Sequence, residues 1–143
     1  MPQGESLRLT RVFPAPPALV FRAWTGAEAM RKWFCPYDHW GLEVEVDARL
    51  GGSYRIVMKD TDTGKDHIVS GTFREVRPPE RLVFSWHWQD QPGFPETIVT
   101  VDFRDLGGKT EVTLTHEALP TPELRDRHIH GWNGCLDRLA KLW

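Results

Sequence analysis

The spacing of apolar residues changes period twice along the chain. Ser6 to Phe13 (SLRLTRVF) alternates apolar and polar side chains and stops at Pro14, which predicts a strand. Pro16 to Thr25 then carries Leu19, Val20, Ala23 and Trp24 at helical steps, and Ala27 to Phe34 predicts a second short helix. From Leu42 the period returns to two. LEVEVD, SYRIVM, HIVSGTFREV, RLVFSWHW, TIVTVDF and TEVTLTH are six alternating runs, separated by turn residues at Gly51-Gly52, DTDTG, Pro78-Pro79, Pro92-Gly93 and Gly107-Gly108. Pro120 and Pro122 end this meander. A long helix is expected from about Thr121 to Trp143, where Ile129, Trp132, Leu136, Leu139 and Trp143 recur three and four residues apart.

The order β, α, α, six β, α predicts an α+β fold with one antiparallel sheet and its helices on a single side. Alternation assigns the buried face to Leu42, Val44 and Val46; Tyr54, Ile56 and Met58; Leu82, Phe84, Trp86 and Trp88; Val99, Val101 and Phe103; and Val112, Leu114 and His116. Glu43, Glu45, Arg55, Ser85, His87, Asp102, Glu111 and Thr113 are expected to meet water. Gly131 and Gly134 interrupt the last helix, where each costs about 1 kcal/mol relative to alanine. Either a close approach to the sheet or open space beneath the helix accounts for them. Close packing is the expectation for Gly134, and exposure to a cavity is the expectation one turn earlier, around His128 and Trp132.

Composition narrows the partners. With 143 residues, 40% of them hydrophobic, residues 1–143 are expected to form one domain that buries about two thirds of its unfolded surface. The 18 basic and 20 acidic residues give a net charge of -2 without a charged block, which argues against nucleic acid or an anionic membrane as the main partner. The N-terminus MPQGESLRLTRV has no signal-peptide pattern, and no stretch approaches the roughly 20 apolar residues of a membrane span, so a soluble, cytoplasmic protein is expected. Cys35 and Cys135 are too few for a disulfide framework and lack CxxC spacing. Reduced, packed thiols are expected, with a bridge between them as the alternative.

RKWF after the second helix, GGSYRIVM, GTFREVRPPERLVFSW, TVDFRDLGGKTEVTLTH and the closing HGWNGCLDRLA follow one another in a familiar order. As a set they resemble, over nearly the whole chain, the family named for the activator of the Hsp90 ATPase, within the START-like, birch-pollen-allergen-like superfamily of helix-grip proteins. The resemblance implies a curved, seven-stranded antiparallel sheet that grips the C-terminal helix, with a cavity between them that often takes an apolar ligand. It also implies a superfamily of lipid and hormone binders, polyketide cyclases and ATPase-activating co-chaperones, among which the fold does not choose. Eukaryotic co-chaperones of the family carry a separate N-terminal domain, and this chain is expected to hold the START-like domain alone.

Seven tryptophans supply the candidate site. The expected cavity residues are Tyr54, Ile56, Met58, Phe73, Phe84, Trp86, Trp88, Val101 and His116 on the sheet and His128 and Trp132 on the helix, with Trp33 and Phe34 at the mouth. Large rings offer wide contact area and few rotors, which suits an apolar or aromatic ligand; an ordinary aromatic core is the alternative. Among the six histidines, His128 and His130 lie about 200° apart around a helix and cannot share an ion, and His39, His67, His87 and His116 show no metal-ligand spacing. His116 ends the last strand on the buried face, within reach of His128 at the start of the helix, and is expected to be a satisfied, hydrogen-bonded histidine rather than a catalytic one. The segment DTDTGKD, Asp60 to Asp66, resembles the start of a calcium loop, but its twelfth position is Gly71 in place of a glutamate, so a hairpin turn is expected. No nucleophile elbow, phosphate loop or dinucleotide fingerprint occurs, so no metal, cofactor or catalytic residue is expected. The first functional reading is a protein that binds an apolar small molecule. The alternatives are a cyclase or dehydratase moving protons through His116, His128 or Tyr54, and a module that docks a chaperone.

Overall fold

Because six alternating runs are joined by short turns, each strand pairs antiparallel with its sequence neighbour, and only the first strand must travel to find a partner. The structure, a computed structural model, describes residues 4–143; the first three residues of the expected leaderless N-terminus lie outside the described residues. They form β1 (Glu5–Phe13), α1 (Pro17–Ala23), α2 (Ala27–Trp33), β2 (Gly41–Val46), β3 (Ser53–Asp60), β4 (Lys65–Arg77), β5 (Arg81–Trp88), β6 (Thr97–Asp105), β7 (Thr110–Leu119) and α3 (Pro122–Ala140). The sheet is seven-stranded, antiparallel and ordered β1-β7-β6-β5-β4-β3-β2, so β1 and β2 are its edges. This is the helix-grip architecture. No helix among the described residues is long and apolar enough to cross a membrane.

The long helix is set at both ends. Thr121 caps its N-terminus, its hydroxyl oxygen accepting the Leu124 N–H at 3.2 Å, with Pro122 in the first turn and Glu123 beside the positive end of the helix dipole. The helix stops at Ala140 rather than running to Trp143. Beyond it the chain turns, and the Trp143 ring packs edge-on against Phe13 on β1 with centroids 5.9 Å apart. Arg11 of β1 clamps the same helix from the sheet side, with hydrogen bonds to Asp137 at 2.6 Å and to the Asn133 side chain at 3.1 Å.

One exposure expectation fails. Ser85, expected to meet water, is 2% exposed. Ser85 stands opposite Thr72 in the β4–β5 register, just before the bulge between Phe73 and Glu75: its hydroxyl accepts the Thr72 N–H at 2.9 Å, and its carbonyl accepts the Tyr54 hydroxyl at 2.5 Å. The strands approach so closely there that a Cβ on Gly71 would lie 1.9 Å from the Ser85 carbonyl oxygen.

The core is aromatic. Trp24 and Trp33 meet edge to face at 4.6 Å, Trp24 stacks on Trp132 at 6.2 Å, and the Trp33 indole N–H donates to the Ala23 carbonyl at 2.9 Å. Full burial of one such ring stabilises the fold by on the order of 3 kcal/mol. These rings come from the C-terminal cap of α1, from α2 and from α3, so they lock the helices to one another and to the concave face of the sheet.

Candidate functional site

The helices do not cover that concave face evenly. At one end the side chains of Trp24, Met30 and Phe34 press onto Tyr54, Ile56, Phe73 and Phe84, and the space left among them is about 10 Å³. At the other end a cavity of about 300 Å³ opens between β3, β5, the N-terminal half of α3 and the chain around Pro36 to Trp40. Met58, Trp86 and Trp88 form its sheet wall; His128, Gly131, Trp132 and Cys135 form its helix wall; Tyr37, Trp40, His67, Gln91 and Arg127 ring its mouth.

The two helical glycines have different causes. A Cβ on Gly131 would meet nothing within 4 Å, and this residue lines the cavity. A Cβ on Gly134 would lie 2.8 Å from the Pro36 carbonyl oxygen and 2.9 Å from its Cα, so the helix needs a glycine there to pass the α2–β2 connection. The close approach is to that connection and not to the sheet.

Of the thirteen residues expected at the cavity, Met58, Trp86, Trp88, His128 and Trp132 line it. Trp33, Phe34, Tyr54, Ile56, Phe73, Phe84, Val101 and His116 are buried in the packed core. All of the expected sheet residues belong to the concave face, but α1 and α2 plug one half of it, a fact that strand alternation does not carry. The mouth was missed because it is built from loops and strand ends. A signal was present: the loop PYDHW after α2 holds three ring side chains, Tyr37, His39 and Trp40, more than a solvated loop needs.

Hydrogen bonds settle the state of the two buried histidines. The Trp132 indole N–H donates to His116 Nδ1 at 3.1 Å, and Thr97, 2.7 Å from His116 Nε2, donates its own proton to the Trp86 carbonyl at 3.0 Å. His116 therefore carries its proton on Nε2 and gives it to Thr97. His128 accepts the Trp88 indole N–H on Nε2 at 2.9 Å and donates from Nδ1 to the Leu124 carbonyl at 2.7 Å. Both rings are neutral with both nitrogens engaged. Burial, reinforced by the neighbouring His128, pushes the His116 pKa well below the ordinary value, and burial also lowers that of His128 against the opposing pull of the Leu124 carbonyl.

The mouth is held by the DTDTGKD hairpin. Asp60 Oδ1 accepts the N–H groups of Asp62 and Thr63 at 2.9 and 3.1 Å, and Oδ2 faces His67 Nε2 at 3.1 Å. Burial opposes ionisation of Asp60, but the bonds from His67, Thr63 and Asp62 outweigh it and hold the pKa at about 2. Asp90 faces the other ring nitrogen of His67 at 3.3 Å, and the ring stacks on Trp40 at 5.4 Å. Trp40 in turn donates to Asp62 at 3.2 Å. The carboxylates thus serve the turn and the rim. Among the described residues no group of three or more histidine, cysteine, aspartate or glutamate side chains is placed to hold a metal ion. Cys35 and Cys135 are free and buried, and burial raises both thiol pKa values.

Residues 14–143 match the family model described as Activator of Hsp90 ATPase homolog 1-like protein. Over 126 residues, 88% of its length, the chain is 26% identical to the Homo sapiens Activator of 90 kDa heat shock protein ATPase homolog 1, and it spans 33% of that relative. Two solved structures are similar throughout. Protein CV1439 from Chromobacterium violaceum is 31% identical with a TM-score of 0.88, covering 96% of this chain and 95% of that one. The AHSA1 protein from Silicibacter pomeroyi is 30% identical with a TM-score of 0.81, covering 96% of each.

Proposed function

The chain belongs to the Activator of Hsp90 ATPase homolog 1-like family, and from that premise we propose that it binds a small apolar, ring-bearing molecule in the cavity between the sheet and α3. The observation that carries the reading is the cavity of about 300 Å³ walled by the indoles of Trp86, Trp88 and Trp132 and left open by Gly131. Rigid rings lose little entropy when they meet a ligand face, and water in such a pocket finds few partners. At about 0.5 kcal/mol per non-hydrogen atom, a body of about a dozen atoms gains on the order of 6 kcal/mol, a Kd of tens of micromolar.

The neutral fluorescent probe N-phenyl-1-naphthylamine tests this reading in the Gly131→Leu variant. Leucine gains about 1 kcal/mol of helix propensity over glycine and meets no atom at its Cβ, so stability should hold or rise while the side chain occupies the cavity. Probe binding in wild type that disappears in Gly131→Leu supports the reading. Equal binding in both proteins overturns it.

Proton-transfer chemistry has weaker support. His116 and His128 have both ring nitrogens engaged, and the Tyr54 hydroxyl is buried on the Ser85 carbonyl, with burial and then Glu96 raising its pKa. None of the three has a donor left free for a bound molecule, and neither His116 nor Tyr54 lines the cavity. A second reading, stimulation of a chaperone ATPase, is favoured by the name of the human relative, of which this chain matches about a third. Its test is the ATPase rate of purified Hsp90 with and without this protein; an unchanged rate at saturating protein overturns it.

A further inference from the structure

We infer that the ligand is an amphipathic carboxylate, with an apolar body of one or two rings in the cavity and its carboxylate held at the mouth by the guanidinium of Arg127. The inference rests on the cavity being a small-molecule site. No carboxylate side chain lines the cavity, whose charged and basic groups are His67, Arg127, His128 and His130. Three of these four are already committed. His128 bonds Trp88 and Leu124, His67 lies between Asp60 and Asp90, and His130 pairs with the Tyr37 hydroxyl at 3.1 Å.

Arg127 is different. Among the described residues no carboxylate oxygen comes within 4.0 Å of its guanidinium and no acceptor bonds it. The neighbouring acid that would naturally serve it, Asp126, is taken by Arg125 at 3.1 Å, and Arg125 also pairs with Glu5 at 2.6 Å. Glu123 and Asp126 share with Arg127 and His130 a second, open surface hollow, and neither carboxylate comes within pairing distance of Arg127. Arg127 therefore brings to the lining a guanidinium fork that no carboxylate pairs, beside an indole-walled pocket whose rim carboxylates, Asp60, Asp62 and Asp90, are taken up by His67, Trp40 and the turn. A carboxylate matches that fork with two parallel hydrogen bonds, whereas an ammonium group would meet like charge. The volume lies at the lower end of the roughly 300–1,000 Å³ of small-molecule sites, which sets the body at one or two rings.

Isothermal titration calorimetry with 2-naphthoate and its neutral isostere 2-naphthamide tests the inference on wild type and Arg127→Gln. Hydrogen bonds to a charged group at a part-exposed rim predict about tenfold tighter binding of the acid. That advantage should vanish in Arg127→Gln, with amide affinity unchanged, and should shrink as salt is raised. Because Arg127 is exposed, the variant should melt with wild type, which removes misfolding as an explanation. Acid and amide binding alike in wild type, or an acid advantage that survives the substitution, overturns the inference. If the naphthylamine probe still binds in a Gly131-dependent way, the carboxylate anchor alone has failed. If no compound binds, the cavity reading falls with it.

Discussion

His116 is a neutral imidazole by the construction of its neighbours, with an indole donor on one nitrogen and a threonine oxygen on the other. Its folded pKa lies below the unfolded value of 6.5, so between those two values the unfolded chain binds more protons than the folded one. Stability must then fall as pH drops below about 6.5, by up to about 1.4 kcal/mol per pH unit for this group and more where His128 joins it. Urea denaturation at pH 7.5, 6 and 5 should show this loss, and His116→Gln should flatten the slope although it starts less stable; a flat wild-type profile would refute the assignment. Asp60 acts in a lower window. Its contribution is complete above about pH 4 and is lost as pH falls toward its folded pKa of about 2. At Gly134 the argument is steric. Leucine there must displace the backbone at Pro36, an overpacking cost of about 1 to 3 kcal/mol that its helix propensity offsets by only about 1, so Gly134→Leu should lower the denaturation midpoint where Gly131→Leu does not.

At the scale of elements, α3 decides how α2 ends. α2 stops at Trp33 with unpaired carbonyls behind it, and Arg138 from the last turn of α3 satisfies them, bonding the Lys32 carbonyl at 3.0 Å and the Cys35 carbonyl at 3.1 Å while its Nε meets Asp38 at 2.9 Å. One side chain, 15% exposed, thereby fixes the Pro36–Trp40 connection that forms the cavity mouth and presses on Gly134. Arg138→Met should cost about 1 to 3 kcal/mol, since it leaves charge-assisted bonds unmade and carbonyls unpaired. Arg138→Lys should recover little of that, because an ammonium group cannot span three acceptors in the plane that a guanidinium does. Urea titration of the two variants beside wild type decides the point; full rescue by lysine would show that charge alone holds the element.

The whole molecule is a grip with one solid end and one open end. Trp24 and Phe34 at the ends of α1 and α2, with Met30 of α2, fill the half of the concave face around Phe73 and Phe84, and the other half, under the first turns of α3, keeps the cavity. A ligand that binds only the folded state stabilises the entire cooperative unit. At ten times its Kd the gain is about 1.4 kcal/mol, or on the order of 4 °C in Tm for a chain of this length. Scanning calorimetry with 2-naphthoate should show that rise in wild type and none in Gly131→Leu. A rise of the same size in both proteins would place the binding site elsewhere.

Local rules were enough for the order of elements, the antiparallel meander and the concave face, because side-chain direction in a strand alternates whatever lies above it. They were enough, too, for the N-terminus of α3, where Pro122 and the capping Thr121 announce themselves, and for the hairpin at Asp60 to Asp66. Membership of the family was legible in motifs strung along the strands and the closing helix. What alternation could not carry was which half of the concave face the short helices would plug, so Tyr54, Phe73 and Phe84 became core while Trp86 and Trp88 kept a cavity beside them. Nor could it find Tyr37, Trp40, His67 and Arg127 at the mouth, which converge from a loop, a strand and a helix. Ser85 stays with Arg55 and His87 on the outer face but is covered there, because its hydroxyl takes the Thr72 N–H where β4 and β5 crowd together at Gly71. The two glycines look alike in the chain and differ only in what stands opposite them, Pro36 at one and open space at the other, because packing is a relation between segments distant in sequence.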